Sequence, residues 1–499
     1  MESSSSVRCL EYTQSGDLTN VTYPLPNADI NGVGVLVAFL FPAYLSWLGA
    51  ILLYIGGLTS QDLLSDFDIL YLQIQDRTNN KWHGEFHIAI LTLSAQQLVT
   101  GIGILAAAFA TLSTALVADF HTIIYLAWMS SNGYLATLTL LRDYLQHNPA
   151  IRAMKLLTMV TLLAMLCVAI FPTTNFEWAD HILIQPACAN ASSCVALETE
   201  VLPMWRIASR TNLQGMLSPQ GVISYFLLIV SYTWQAAMLF EPTHRRTGRI
   251  IRTPLRWLAQ ALHGAARRRL APPHRHLHDI HYRLLLGIYL FLTASLDFIG
   301  SFACFLGIVT VSFAWANFEL LLPRLHVFPN CVRQALNQWD FGQILPLLLL
   351  LSSFYSFIEH YLHERGMKPT SNNNNNKPTA PPAMSPTPII KSTTGVPFAS
   401  SSPRLSEIFL QYDPSRAEAL QATVQRQLYA IPYFKVLLGL FCLLAVGAAV
   451  GYFAETIIAL TGPSEPYSWS TRDWHLLPDV VAATAATLGI LVVAFLGPL

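Results

Sequence analysis

The sequence predicts an all-α protein, a polytopic transmembrane helical bundle of about nine spans. Charged residues are 12% of the 499 and AVILMFWYC residues 53%, whereas an average soluble chain is about 25% charged. Mean hydropathy is +0.43. Nine stretches approach the roughly 20 apolar residues that a helix needs to cross the hydrocarbon core. This composition excludes a soluble domain array and a disordered chain. A net charge of zero also excludes a nucleic-acid binder that works through bulk positive charge.

The stretches run over residues 33–57, 88–111, 120–141, 155–173, 220–240, 284–312, 342–361, 434–454 and 478–497. Residues 1–32 are polar and carry no cleavable signal pattern, so the first span is expected to act as an uncleaved anchor. The sixth stretch continues almost without interruption to Leu322. It reads either as one span with an interfacial piece or as two spans turning near Gly300. Lys and Arg concentrate on the cytoplasmic side of membrane proteins, and this favours the first reading. With nine spans and the N-terminus exoplasmic, segments 58–87, 142–155, 241–283 and 362–435 are cytoplasmic and hold 23 of the 29 basic residues. The C-terminus is then cytoplasmic. The membrane is expected to be the plasma membrane or an endomembrane.

The sequons at Asn20 and Asn190 fall on the exoplasmic side of this arrangement and are glycosylation candidates. Cys9, Cys188, Cys194 and Cys331 lie on the same side, while Cys167, Cys304 and Cys442 lie in spans. Exoplasmic cysteines suit an oxidising compartment. Cys188 and Cys194 are candidates for a small disulfide loop, though four cysteines permit three pairings.

The expected organisation is an exoplasmic segment (1–32), a seven-span block (33–362) and a disordered linker (363–404) with a run of five Asn. A cytoplasmic helix (405–432) and a terminal two-span hairpin (433–499) follow. The 241–283 loop holds ten Arg and six His. It suits contact with anionic lipid as well as a plain topology-setting role. Its histidines match no closed metal site, so no metal and no cofactor is expected. The expected partners are the bilayer and a small-molecule or lipid ligand, and no nucleic acid.

Ionisable and amide side chains inside spans are costly and mark candidate sites. Asp297, placed near the middle of the sixth span, is the candidate catalytic acid or cation ligand. Gln96 and Gln97 in span two and Trp128, Ser131 and Asn132 in span three are candidates to line a polar cavity with it. Their other role is to bond helix to helix. GxxxxGK[ST], HExxH, GxSxG and DDxxD are all missing, which argues against an ATP-driven pump, a zincin, an esterase and the usual intramembrane prenyltransferase.

Four places are specific: Asn27-Ala-Asp29-Ile-Asn31-Gly32-Val-Gly34, Leu93-Ser-Ala-Gln96-Gln97 to Gly101, Tyr125-Leu-Ala-Trp128 to Asp143-Tyr144, and Asn337-Gln-Trp339-Asp-Phe341-Gly342-Gln343. Together, over residues 27–362, they resemble a large group of uncharacterised multi-pass integral membrane proteins of filamentous fungi. The resemblance implies an integral membrane protein and no particular activity. Ala95 stands where the group has an acid before the Gln pair.

Three functions compete. The first is a non-catalytic polytopic membrane protein, sensory or receptor-like in layout. The second is an intramembrane enzyme of lipid or terpenoid metabolism, cyclase-like, with Asp297 as its acid. The third is a secondary transporter, which the lack of an internal repeat disfavours.

Overall fold

The structure is a computed structural model. It describes residues 6–12, 18–59, 67–74, 82–175, 201–213, 218–239, 257–265, 275–328 and 330–339, with shorter pieces up to 447. The linker 363–404, the sequon at Asn190, Cys188, Cys194 and most of 405–499 lie outside the described residues.

The chain opens with an antiparallel hairpin, β1 (Ser6–Tyr12) and β2 (Leu18–Pro24), in which Asn20 pairs with Leu10. The helices are α1 (Ala28–Asn31), α2 (Val33–Ile55), α3 (Trp82–Ala110), α4 (Val117–Leu140) and α5 (Arg142–His147). They continue with α6 (Pro149–Ile170), α7 (Val201–Leu213), α8 (Pro219–Leu239), α9 (Arg275–Ile299), α10 (Phe302–Leu322) and α11 (Asn330–Leu336). A π-helical turn (Phe67–Tyr71) follows α2, and another (Pro323–Val327) follows α10. Among the described residues, five helical stretches are long and apolar enough to cross a membrane: Ala28–Ile55, Ile90–Ala110, Pro149–Thr174, His281–Ile299 and Phe302–Leu325.

Helix α4 is the centre of the molecule. All its residues from Val117 to Thr139 are buried, with α2, α3, α6, α8 and α10 packed against it. Surrounded by protein rather than lipid, it can carry Ser130, Ser131, Asn132, Thr137 and Thr139. The surrounding helices show the opposite pattern. Leu52 on α2, Val99 on α3, Met154, Leu157 and Val160 on α6 and Phe226 and Ile229 on α8 are exposed. They form the apolar exterior expected of a bundle solvated by acyl chains.

Small residues allow this density. A Cβ on Gly133 of α4 would lie 3.2 Å from the Ala43 Cα of α2 and 3.4 Å from the Gln97 side chain of α3. A Cβ on Gly101 of α3 would lie 3.4 Å from Ser130. Close approach through Gly and Ser is the usual packing device where lipid removes the hydrophobic drive between helices.

The stretch from Leu284 to Leu322, expected as one span over 284–312, is divided. α9 ends at Ile299, and α10 starts at Phe302 after Gly300 and Ser301. Ser301 is the N-cap: its hydroxyl accepts the Cys304 N–H at 3.0 Å. The Asp68 carboxylate accepts the N–H groups of Phe302 (3.1 Å) and Ala303 (3.3 Å). Four otherwise unpaired donors begin any helix, and here three are supplied with acceptors, which pins the break. Of the two, α10 contributes Phe302, Phe305, Val309, Phe313 and Trp315 to the main core. The buried Tyr282, Leu286, Tyr289 and Leu290 of α9 join a second cluster with Phe67, Leu262, Tyr429 and Phe434.

Candidate functional site

The bundle has two recognisable ends and a polar middle. At one end the start of α2, the start of α4 and the end of α10 meet. The Asp119 carboxylate accepts the Asn27 N–H (2.9 Å) and the Asn31 side-chain amide (2.6 Å). The Thr122 hydroxyl donates to Asn31 Oδ1 at 2.5 Å. The Arg324 guanidinium donates to the Asn31 carbonyl and, at 2.9 Å, to Asn337. Asn31, Leu36, His121, Thr122 and Arg324 line a small cavity here. His121 Nε2–H donates to the Glu319 carbonyl at 2.9 Å, and its Nδ1 accepts from Trp178 at 3.2 Å. That pairing fixes a neutral ring with both nitrogens engaged.

At the opposite end Asp68 bonds the Tyr54 hydroxyl (2.5 Å), the Ser65 N–H and hydroxyl (2.9 and 3.0 Å), and the start of α10. A carboxylate accepting this many donors is a structural anchor.

Between the ends, α4 presents polar groups in several directions. The Trp128 indole N–H donates to Ser312 Oγ at 2.8 Å, and Ser312 donates to Asn132 Oδ1 at 2.9 Å, tying α4 to α10. Ser131 and Tyr232 share a 2.6 Å bond between α4 and α8, and Trp315 donates to Ser224 at 3.0 Å. Toward α6, the Lys155 Nζ donates to Ser94 of α3 at 3.0 Å, and the Tyr134 hydroxyl donates to the Lys155 carbonyl at 3.0 Å.

Some polar atoms in this band have no protein partner. Both amide atoms of Gln97, Oε1 of Gln96, Nδ2 of Asn132, and the hydroxyls of Ser46 and Ser130 are buried and unbonded among the described residues. An unmet buried donor or acceptor costs about 1–3 kcal/mol. Several in one layer around one helix mark a place where a polar ligand or solvent gains hydrogen bonds.

The residues singled out from the sequence are thus partly united. Trp128 and Asn132 share one relay, Ser131 is the next residue on α4, and Gln97 packs against Gly133. Asp297 stands apart. It is buried, but on α9, two positions from that helix's last residue and outside α10. It is not a mid-span residue of the helix that carries Ser312. Nor is it alone among acids: Asp68, Asp119 and Glu319 are also buried. Lys155, counted with the cytoplasmic 142–155 segment, is instead buried within α6. A lysine six residues past Pro149 looks like an interfacial charge in one dimension, and only its neighbours on α3 and α4 reveal it as internal. Cys331 is in a disulfide, while Cys167, Cys304 and Cys442 are free.

The four stretches that carry the fungal resemblance meet in pairs. The first and fourth join where Gly34 N–H donates to Gln343 Oε1 at 3.2 Å and where a Cβ on Gly32 would strike the Gln343 side chain at 2.3 Å. The second and third join at Gln97 and Gly133.

No protein-family model matches the chain, and no solved structure matches it. The chain is similar to the Elsinochromes biosynthesis cluster protein HP3 of Elsinoe fawcettii, at 36% identity over 110 residues. The similar region covers 22% of this chain and 44% of that protein, so less than half the length of the relative is matched.

Proposed function

We propose that this chain is a non-catalytic polytopic membrane protein of fungal secondary metabolism that binds a small molecule in the polar middle of its bundle, as a receptor-like protein would. The observation that carries the reading is the Trp128–Ser312–Asn132 relay, together with the unbonded amides of Gln97 and Asn132 around a helix fully sheathed by others. The relative's place in a biosynthesis cluster supports the setting.

Nine spans with an exoplasmic N-terminus fit this reading. The starts of α2 and α4 share an end with the close of α10, which supports reading α10 as the sixth span. The buried positions of α9 (Tyr282, Leu286, Tyr289, Leu290, Thr293, Asp297) fall on one face. This suits a helix lying along the cytoplasmic end beside the Arg-rich loop.

Deletion of the gene in its host, with products quantified in mycelium and medium, tests the function. The expected outcome is the same set of compounds in altered amounts or distribution, with no new intermediate. An unchanged profile overturns the proposal. Accumulation of a new intermediate, reproduced by Asp297→Asn, favours the intramembrane enzyme instead.

A further inference from the structure

Lys155 is a cation inside the bundle. It is 5% exposed, while Met154, Leu157 and Val160 around it on α6 point outward. Its ammonium has three N–H donors and, among the described residues, bonds a single acceptor, the neutral hydroxyl of Ser94. The Tyr134 ring lies 5.8 Å from Nζ. A ring face favours a cation but supplies no countercharge. No carboxylate among the described residues pairs with Lys155. In a protein interior walled by lipid, a charge in this state is costly and calls for an anion.

The surroundings supply the rest of a site. Gln97 lies one turn from Ser94 on the same face of α3, is 1% exposed, and has both amide atoms unbonded among the described residues. Its side chain lies against Gly133, the neighbour of Tyr134 on α4. One turn further along from Ser94 and from Lys155 stand Leu98 and Met159, both buried. Three polar groups (ammonium, hydroxyl and amide) therefore face α4 next to an aromatic ring and apolar walls. A bare halide would use the charge but none of the apolar surface. An organic anion with a carboxylate or phenolate on an apolar body would use both.

We propose that Lys155, Ser94, Gln97 and Tyr134 form a binding site for a small organic anion between α3, α4 and α6. The proposal rests on the ligand-binding reading above and names the class of ligand. Calorimetric titration of the purified full-length protein with benzoate, and separately with chloride, tests it. Benzoate is expected to bind. Lys155→Met is expected to weaken binding at least about tenfold and Gln97→Leu about three- to tenfold, the effect of removing a charged and a neutral hydrogen bond respectively.

Absence of benzoate binding in the wild-type protein overturns the assignment, as does equal affinity of Lys155→Met. Chloride binding that depends on Lys155, without benzoate binding, overturns the organic-anion assignment. If Lys155→Met does not fold, Gln97→Leu decides, and unchanged affinity overturns the site. The deletion phenotype above does not depend on this result. Loss of benzoate binding with an altered product distribution would remove the anion site and leave the functional reading standing.

Discussion

A few residues take roles that their type alone does not announce. Gly133 is a glycine in the middle of a helix, which costs about 1 kcal/mol relative to Ala in an isolated helix. It stands where α2 and α3 both close on α4, with the Ala43 backbone 3.2 Å from the place a Cβ would take. Gly133→Leu is therefore expected to force the helices apart and to lower stability by about 2–3 kcal/mol. The measurement is a thermal melt in detergent against Gly103→Ala, where nothing lies within 4 Å. A melt equal to that of the control would remove the close-packing argument. Trp128, Gln97 and Asn132 were legible from the sequence, because bulky or amide side chains in an apolar run stand out. Asp119 and Lys155 were not. Each sits within a few residues of a span boundary, where charge is ordinary, and only partners from distant helices show them to be internal.

At the scale of elements, the division of residues 275–322 into α9 and α10 is the main lesson. Hydropathy runs through the break because Gly300 and Ser301 are both small and compatible with a span. What ends one helix and starts the next is a hydroxyl cap at Ser301 and a carboxylate, Asp68, brought from more than 230 positions away. Asp68→Ala removes acceptors from Tyr54, Ser65, Phe302 and Ala303 at once. It is expected to destabilise the fold by about 3–5 kcal/mol, as losing a buried charged acceptor does, and Ser301→Ala by about 1 kcal/mol. Hydrogen exchange at the first turn of α10 is the direct readout. Unchanged protection there in Asp68→Ala would show that the carboxylate does not hold the break. Helix α4 was expected as a span, yet it is not among the five helices of the described residues that are apolar enough to cross a membrane. Its polar side chains face other helices, and hydropathy registers polarity without registering what covers it.

For the whole molecule, sidedness follows from which helix ends meet. The end with Asn31, Asp119 and Arg324 lies on the side of the β1–β2 hairpin, and α11 packs against β1. Near Asp68, the residues Phe67, Leu262, Tyr282 and Tyr429, from three of the segments that the basic-residue distribution assigns to the cytoplasm, share one cluster. The expected outcome is glycosylation of Asn20 and, in sealed microsomes whose cytoplasmic face is outward, cleavage of the 362–435 segment by added protease. Asn20→Gln should lose one glycan's worth of gel mobility shift, and protease added outside should cut within 362–435 without detergent. Cleavage of that segment in sealed vesicles oriented like the endoplasmic reticulum lumen-in would support it as cytoplasmic, whereas cleavage only after detergent would reverse the topology.

By itself the sequence determined that this is a helical protein with helices apolar enough to cross a membrane, and that Gln97, Trp128 and Asn132 lie inside its bundle. Those are consequences of local composition and of the thickness of a bilayer. Tertiary structure alone decided that α4 is central, that α10 rather than α9 joins the main core, that Asp297 lies apart from Trp128 and Asn132, and that Lys155 is internal beside Ser94 and Tyr134. Each of these depends on which helix faces which, and a linear pattern of hydropathy is nearly the same for a helix that meets lipid and for one that meets protein.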